Sequence, residues 1–242
     1  MTSVYRKSFT ISQLHIDCNG YAKPSVLLYF AQEVAGFHCE ALVPDQPKQL
    51  FWVLSRNKVQ FTRIPALGET ITLETWPLPA TRVAYPRSTI AYDGMGNEIF
   101  RAISLWVLMD KNSRSMVLPK KSGVDVPGIF RGNELSVPHS ILPVPLQNQN
   151  LRTVCYTDLD QNCHMNNTRY LDWVADLLPS GFWKAHSLKE MTICYLSEAL
   201  EGQTLSMNWE ILDGPCLQVE ALRQGEFSRE KVDRVFSCQF LF

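Results

Sequence analysis

"LDQNCHMNNTRYLDWVADLLP" (residues 159–179) repeats the plan of "IDCNGYAKPSVLLYFAQEVAG" (16–36). Each segment opens with D-x-N and passes, at nearly the same distance, into apolar residues at helical spacing. These are Val26, Phe30, Val34 and Phe37 in the first and Tyr170, Trp173, Val174 and Leu177 in the second. Residues three and four apart share one helix face, so each run predicts a helix with one side to bury. The likeness resumes downstream. "KVQFTRIPALGETITLETW" (58–76) parallels "TICYLSEALEGQTLSMNW" (192–209): an alternating strand, a turn at Gly68 or Gly202, then a second strand. Late strands follow in both halves, "RSTIAYD" and "EIFRAISLWVLMD" (87–93, 98–110) beside "CLQVEALRQ" and "DRVFSCQFLF" (216–224, 233–242). "DGMGN" (93–97) is a hairpin turn.

Each half therefore reads as a short strand, one long helix, then an antiparallel sheet. Helix and sheet bury each other when the sheet curls round the helix, which is α+β architecture. Two such units in one chain would pair as a pseudo-symmetric dimer. Proline-rich "LSVPHSILPVPLQNQN" (135–150) holds no steady period. The expected organisation is a first domain at 1–131, a connecting segment at 132–150 and a second domain at 151–242.

The 242 residues are 45% hydrophobic and 19% charged, ample for a folded core. A net charge of -1 supplies no overall field toward nucleic acid or a membrane, so neither is expected as a partner. The charge is unevenly spread. Residues 1–131 carry 15 Lys and Arg against 10 Asp and Glu; residues 132–242 carry 8 against 14. A basic first half could meet an acidic partner, or be solvated surface. The start "MTSVYRKSFT" has no apolar signal core, and no stretch is long enough to span a bilayer. Seven cysteines, an odd number without a C-x-x-C pair, read as reduced thiols in a cytoplasmic protein.

The polar run "YTDLDQNCHMNN" (156–167) admits three explanations. As a calcium loop, Asp158, Asp160 and Asn162 fit the first ligand positions. Cys163, however, stands where a turn glycine is needed, and Arg169 where a bidentate glutamate must close the cage. A cation there excludes the metal. As a helix cap, Asn166, Asn167 or Thr168 suffices, which leaves Asp160, Asn162 and His164 unexplained. In extended chain these three alternate positions point one way. They would aim carboxylate, amide and imidazole at a helix N-terminus, an arrangement suited to a carbonyl substrate.

The repeat sharpens this reading. Asp17 and Asn19 match Asp160 and Asn162, but Tyr21 stands at the place of His164 and Ile64 at the place of Glu198. The titratable pair thus exists in one half only. One half is equipped for chemistry and the other for holding something apolar. The remaining histidines, 15, 38, 139 and 186, lack such company and read as structural.

"DLDQNCHMNNTRYLDW" (158–173) resembles the D-L-D-x-N-x-H-V-N-N-x-x-Y-x-x-W signature of the acyl-acyl carrier protein thioesterases, a plant plastid and bacterial family. "LFWVLSRNKVQFTRIPALGETITLETW" (50–76) and "RAISLWVLMDKNSRSMVLP" (101–119) are also similar to it. The resemblance implies a tandem double hotdog fold and hydrolysis of the thioester between a fatty acyl chain and acyl carrier protein. Asp160, Asn162 and His164 match the motif's catalytic positions, and Glu198 in "YLSEALEGQ" matches the family's acidic residue. Plant members carry a cysteine after that glutamate where this chain has Ala199, which argues against a cysteine acyl-enzyme route; Met165 replaces the usual valine. No transit segment precedes the motifs, which favours a bacterial protein.

In the expected mechanism, Glu198 or Asp160, assisted by His164, deprotonates a water that attacks the carbonyl. Asn162 and backbone N–H groups at the helix start steady the oxyanion. Direct attack by a carboxylate is the alternative. Val26, Phe30, Val34 and Trp52 are expected to wall an acyl tunnel. Arg82, Arg87, Lys120 and Lys121 are expected to meet the acidic carrier protein, on the charge asymmetry alone. No cofactor and no metal are expected, and a homodimer is compatible with the sequence. Two rival readings keep the fold: an acyl-CoA thioesterase and a non-catalytic acyl-binding protein.

Overall fold

The computed structural model describes residues 3–225 and 228–242. The chain divides into two compact units, Met1–Pro138 and His139–Phe242.

The first unit runs β1 (Tyr5–Thr10), α1 (Pro24–Leu42), β2 (Leu50–Phe61), β3 (Thr70–Pro77), β4 (Tyr85–Tyr92), β5 (Glu98–Asp110), β6 (Met116–Val117) and α2 (Pro119–Ser122). Its strands lie in the order β1-β3-β4-β5-β2, all antiparallel, with β6 beside β5. Pro24 opens α1 at a position whose N–H has no helical partner to lose. Leu27, Leu28, Phe30, Val34 and His38 form the buried side of the helix, which packs on β1 and β3. Phe37, expected on that side, is instead half exposed, with the Lys7 ammonium 4.3 Å above its ring. The "DGMGN" turn forms as expected: Asp93 N–H donates to Asn97 O, and Gly96 has φ +84°.

Side chains alternate across the sheet. Thr75 and Arg87 face α1, where Arg87 reaches His38. Trp76, Ile90 and Ile103 face the other way and form a second cluster with Ile129 and Leu135. That far face is covered by the segment after α2. Ile129 N–H donates to Pro77 O, and Arg131 lies 4.6 Å above the Trp76 ring while pairing with Glu74 at 2.7 Å. Gly128 permits the approach, since a Cβ there would lie 2.2 Å from the backbone of Leu78. Each large side chain buried in this way contributes about 2–3 kcal/mol. Covering both faces leaves β4 buried along almost its whole length.

The second unit runs β7 (Asn148–Thr153), α3 (Asn167–Ala175), α4 (Ser180–Ala185), β8 (Glu190–Tyr195), β9 (Thr204–Leu212), β10 (Cys216–Gly225) and β11 (Ser228–Leu241). The strand order β8-β11-β10-β9-β7 reproduces that of the first unit, with β7, β9, β10, β11 and β8 in the places of β1, β3, β4, β5 and β2. Tyr170 of α3 meets Phe236 and Tyr195 of the sheet edge-on at 4.9 and 5.5 Å. Both units thus have the hotdog arrangement, an antiparallel sheet with a helix on one face. The two helices differ in length, however. α1 spans 19 residues and α3 only 9. Pro179 disfavours helical backbone at Leu178 and has no N–H to give, so the path breaks and restarts as α4. Trp183 of α4 donates to the Ala175 carbonyl left open at the end of α3.

Candidate active site

The polar run of the second unit is a closed turn. A bridge between Leu159 and Met165 pins its ends, Asp160 N–H donates to His164 O at 2.8 Å, and Cys163 N–H donates to Asp160 O. Cys163 adopts a left-handed φ of 61° to close it. The Asp160 carboxylate turns inward, its Oδ1 accepting the N–H groups of Asn162 at 2.8 Å and His164 at 3.3 Å. This corrects the extended-chain expectation of three side chains on one face: Asp160 is spent on the turn itself. Asp158 below it is buried, accepting from Cys155 N–H and from Arg169 Nε. Asn166 caps α3 by accepting from Thr168 N–H. The N–H groups of Asn166, Thr168 and Arg169 are all committed within this turn. The helix start therefore offers fewer oxyanion donors than expected, and the exposed Asn162 carboxamide, whose Nδ2 makes only a 3.5 Å contact to Asp160 Oδ2, is the side-chain candidate.

The first unit builds the same turn. Asp17 accepts from Asn19 N–H at 2.8 Å and Tyr21 N–H at 3.1 Å, Ile16 bridges Ala22, and Gly20 takes the left-handed position of Cys163. Tyr21 bridges Ala66 as His164 bridges Leu200, which makes Ile64 and Glu198 equivalent. One scaffold thus carries Tyr and Ile in one unit and His and Glu in the other.

In the second unit His164 Nε2 lies 3.4 Å from Glu198 Oε2, with 24% and 42% of the two side chains exposed. The pair is in ion-pair reach, somewhat longer than a tight hydrogen bond, and open to water. Met165 N–H donates to Ala199 O, tying the turn to the Glu198 segment. That segment is held from its other side by Arg223, which donates to Glu198 O and Gln203 Oε1 at 2.8 Å and to Ser197 Oγ at 3.1 Å. Sequence reading missed Arg223; an arginine on a strand about 50 positions past the motif gave no signal. Tyr195, whose hydroxyl donates to Asn167 O, and Tyr170, which meets the Ala199 backbone, support the turn from beneath. Burial pushes both hydroxyls well above the usual phenol range, so both stay protonated. Ala199 and Cys194 are buried, and Cys163 is exposed on the turn. No group of three or more metal-ligating side chains occurs among the described residues.

The remaining expected site residues lie in the first unit and separate. A cavity of about 90 Å³ is lined by Trp52 together with Gln32, Cys39, Tyr85, Arg87 and Trp106. Of the expected tunnel walls only Trp52 borders it. Phe30 and Val34 are buried in the core, Phe30 stacking on Phe9 at 4.2 Å, and Val26 also lies away from the cavity. Among the expected carrier contacts, Arg82, Lys120 and Lys121 are exposed. Arg87 is a correction: it is 5% exposed and points from β4 toward α1, so no protein partner can reach it.

A two-fold repeat of one helix-on-sheet unit, with a His–Glu pair on one copy of a shared turn, defines a tandem hotdog protein. Residues 2–120 match the acyl-ACP thioesterase N-terminal domain, and residues 146–232 match the acyl-ACP thioesterase C-terminal domain. The chain belongs to the acyl-ACP thioesterase family. It is 26% identical over 251 residues to a chloroplastic palmitoyl-acyl carrier protein thioesterase of Gossypium hirsutum, covering 96% of this chain and 60% of that one. It is 28% identical over 217 residues to a chloroplastic oleoyl-acyl carrier protein thioesterase of Coriandrum sativum, covering 80% and 59%. The chain thus spans about 60% of the length of these relatives. A crystal structure of an acyl-ACP thioesterase from Bacteroides thetaiotaomicron superposes with a TM-score of 0.86 at 25% identity, over 99% of this chain and 98% of that one. The 12:0-ACP thioesterase from Umbellularia californica shares the fold, with a TM-score of 0.81 at 20% identity over 100% and 97%.

Proposed function

We propose that this protein hydrolyses the thioester of fatty acyl-acyl carrier protein, releasing a free fatty acid and the carrier thiol. The observation that carries the reading is the His164–Glu198 approach of 3.4 Å on a turn whose twin in the first unit has Tyr21 and Ile64. A scaffold kept in both units but armed in one is better explained by chemistry than by folding.

The steps balance without a cofactor. Glu198 and His164 together accept a proton from water as its oxygen attacks the thioester carbonyl. The Asn162 carboxamide donates to the developing oxyanion. Collapse of the tetrahedral intermediate breaks the carbon–sulfur bond, and the imidazolium of His164 gives its proton to the departing thiolate. Asp160 is a positioning residue in this scheme, holding the turn that carries His164. Arg82, Lys120 and Lys121 are the exposed cations assigned to the acidic carrier. The seven free thiols suit a reducing compartment such as the cytoplasm, and no helix among the described residues is long and apolar enough to cross a membrane.

The test is thiol release from acyl carrier protein loaded with eight- to eighteen-carbon chains, beside the matching acyl-CoAs. His164→Ala and Glu198→Gln should each lower kcat by about 100-fold or more while the fold is retained. Faster turnover of the CoA esters would reassign the carrier. Absence of turnover on both by folded protein would overturn the enzymatic reading.

A further inference from the structure

Arg87 is the least expected group in the first unit. It sits on β4, 5% exposed, and borders the cavity between α1 and the sheet. Its two hydrogen bonds both leave from Nη1, to His38 Nδ1 at 3.2 Å and Thr75 Oγ1 at 3.4 Å. No carboxylate among the described residues pairs with it. Burial pushes the guanidinium down to about 10, so it remains cationic at neutral pH. A buried arginine ordinarily has an anionic partner, because a charge taken out of water without one is strongly destabilised.

A second group points the same way. The Gln32 Nε2 atom is buried without a hydrogen-bond partner, and Gln32 lines the same cavity. Two sets of unspent donors therefore border one space. The Cys39 thiol, which burial pushes up and keeps protonated, also borders the space; the other walls are apolar or aromatic, from Trp52, Tyr85, Trp106 and Val126. Gly36, exposed on α1, is also among the lining residues. About 90 Å³ has room for several waters, or for a carboxylate with a short length of chain.

We propose that this cavity is a binding site for the carboxylate of an aliphatic acid, its oxygens accepting from Arg87 and Gln32 and its first methylenes lying against Trp52 and Trp106. A guanidinium fork matches a carboxylate in charge and shape. An alcohol could take the amide bond but leave the cation unpaired, and an alkylammonium would be repelled. The site rests on geometry in the first unit and does not depend on the His164–Glu198 chemistry. A free fatty acid and an acyl group bearing a terminal carboxylate present the same head.

The full-length protein is titrated with sodium octanoate, 1-octanol and octylammonium chloride, read by tryptophan fluorescence and by the shift in Tm. Octanoate should bind at least tenfold more tightly than octanol, and octylammonium should not bind. Arg87→Met should remove the preference for octanoate, and Gln32→Leu should weaken octanoate several-fold. His164→Ala should leave its binding unchanged, which separates this site from the proposed catalytic one. Equal affinity for octanol and octanoate in the unmodified protein overturns the proposal, as does a preference that survives in folded Arg87→Met or vanishes in His164→Ala. Should Arg87→Met fail to fold, the octanoate-to-octanol ratio of the unmodified protein and the loss in Gln32→Leu still decide. To distinguish the two sources, octanedioic acid monothioester is compared with the octanoyl thioester. Preference for the former, abolished by Arg87→Met, assigns a substrate tail; binding of free octanoate alone assigns the released acid.

Discussion

Replacing Asp160 separates a positioning role from a chemical one. Its Oδ1 accepts the N–H of Asn162 at 2.8 Å and that of His164 at 3.3 Å. A hydrogen bond to a charged acceptor contributes roughly 1.5–3 kcal/mol, and the longer of these two contributes less. Water reaches this half-buried turn and replaces part of both, so Asp160→Ala should lose about 1–3 kcal/mol of stability. Asn keeps the acceptor oxygen but not its charge, and Asp160→Asn should lose about 1 kcal/mol. The same turn in the first unit is built on Asp17, with bonds of 2.8 and 3.1 Å and no titratable pair beside it. Asp17→Ala should therefore cost as much stability as Asp160→Ala and leave kcat within about twofold, because its turn carries Tyr21 rather than His164. If Asp160 only holds the turn, Asp160→Asn should retain kcat within about tenfold, while Asp160→Ala, which releases the His164 N–H, should fall much further. A carboxylate that moved the proton or attacked the carbonyl would cost about 100-fold or more in either variant. Urea denaturation gives the stabilities and thiol release the rates. A folded Asp160→Asn protein as inactive as Glu198→Gln would refute the positioning argument.

Arg223→Met removes three bonds to the Ser197–Gln203 segment; kcat should fall about tenfold or more with KM little changed, because Glu198 loses its register with His164, and an unchanged kcat would sink this role. Cys163→Gly relieves a left-handed φ that costs a side-chain-bearing residue about 1–2 kcal/mol, less the chain entropy glycine restores, for a net gain of up to ~1 kcal/mol in urea denaturation. Full activity in that variant would also exclude this thiol from the chemistry. Gly128→Ala places a Cβ 2.2 Å from the Leu78 backbone and should cost at least about 1–3 kcal/mol by lifting the segment that covers Trp76; a Tm equal to that of the unmodified protein would show that the segment is not packed as described.

Repetition made the fold and the His–Glu pair legible from sequence. Two copies of one turn align Tyr21 with His164 and Ile64 with Glu198 only if both hairpins keep the same register, and the Tyr21–Ala66 and His164–Leu200 bridges show that they do. Strand alternation likewise exposed β2 to β5 and β8 to β11, since a two-residue period can be read without knowing what each face meets. The length of the second helix was less legible, because an apolar stripe continues through Leu177 while Pro179 ends the backbone path earlier.

Tertiary structure alone decided where polar groups point. Asp160 looks identical in sequence whether its carboxylate faces solvent or its own backbone, and a left-handed residue at Cys163 turned it inward. Arg87 reads as a surface cation on an alternating strand, yet its side of β4 faces α1 across the cavity and the other side is covered by the segment around Gly128, a layer with no periodicity to announce it. Periodicity reports which residues can be buried. Whether a charge is buried depends on what packs over it, and that is set by contacts distant in the chain, as Arg87 with His38 and Arg223 with Glu198 show.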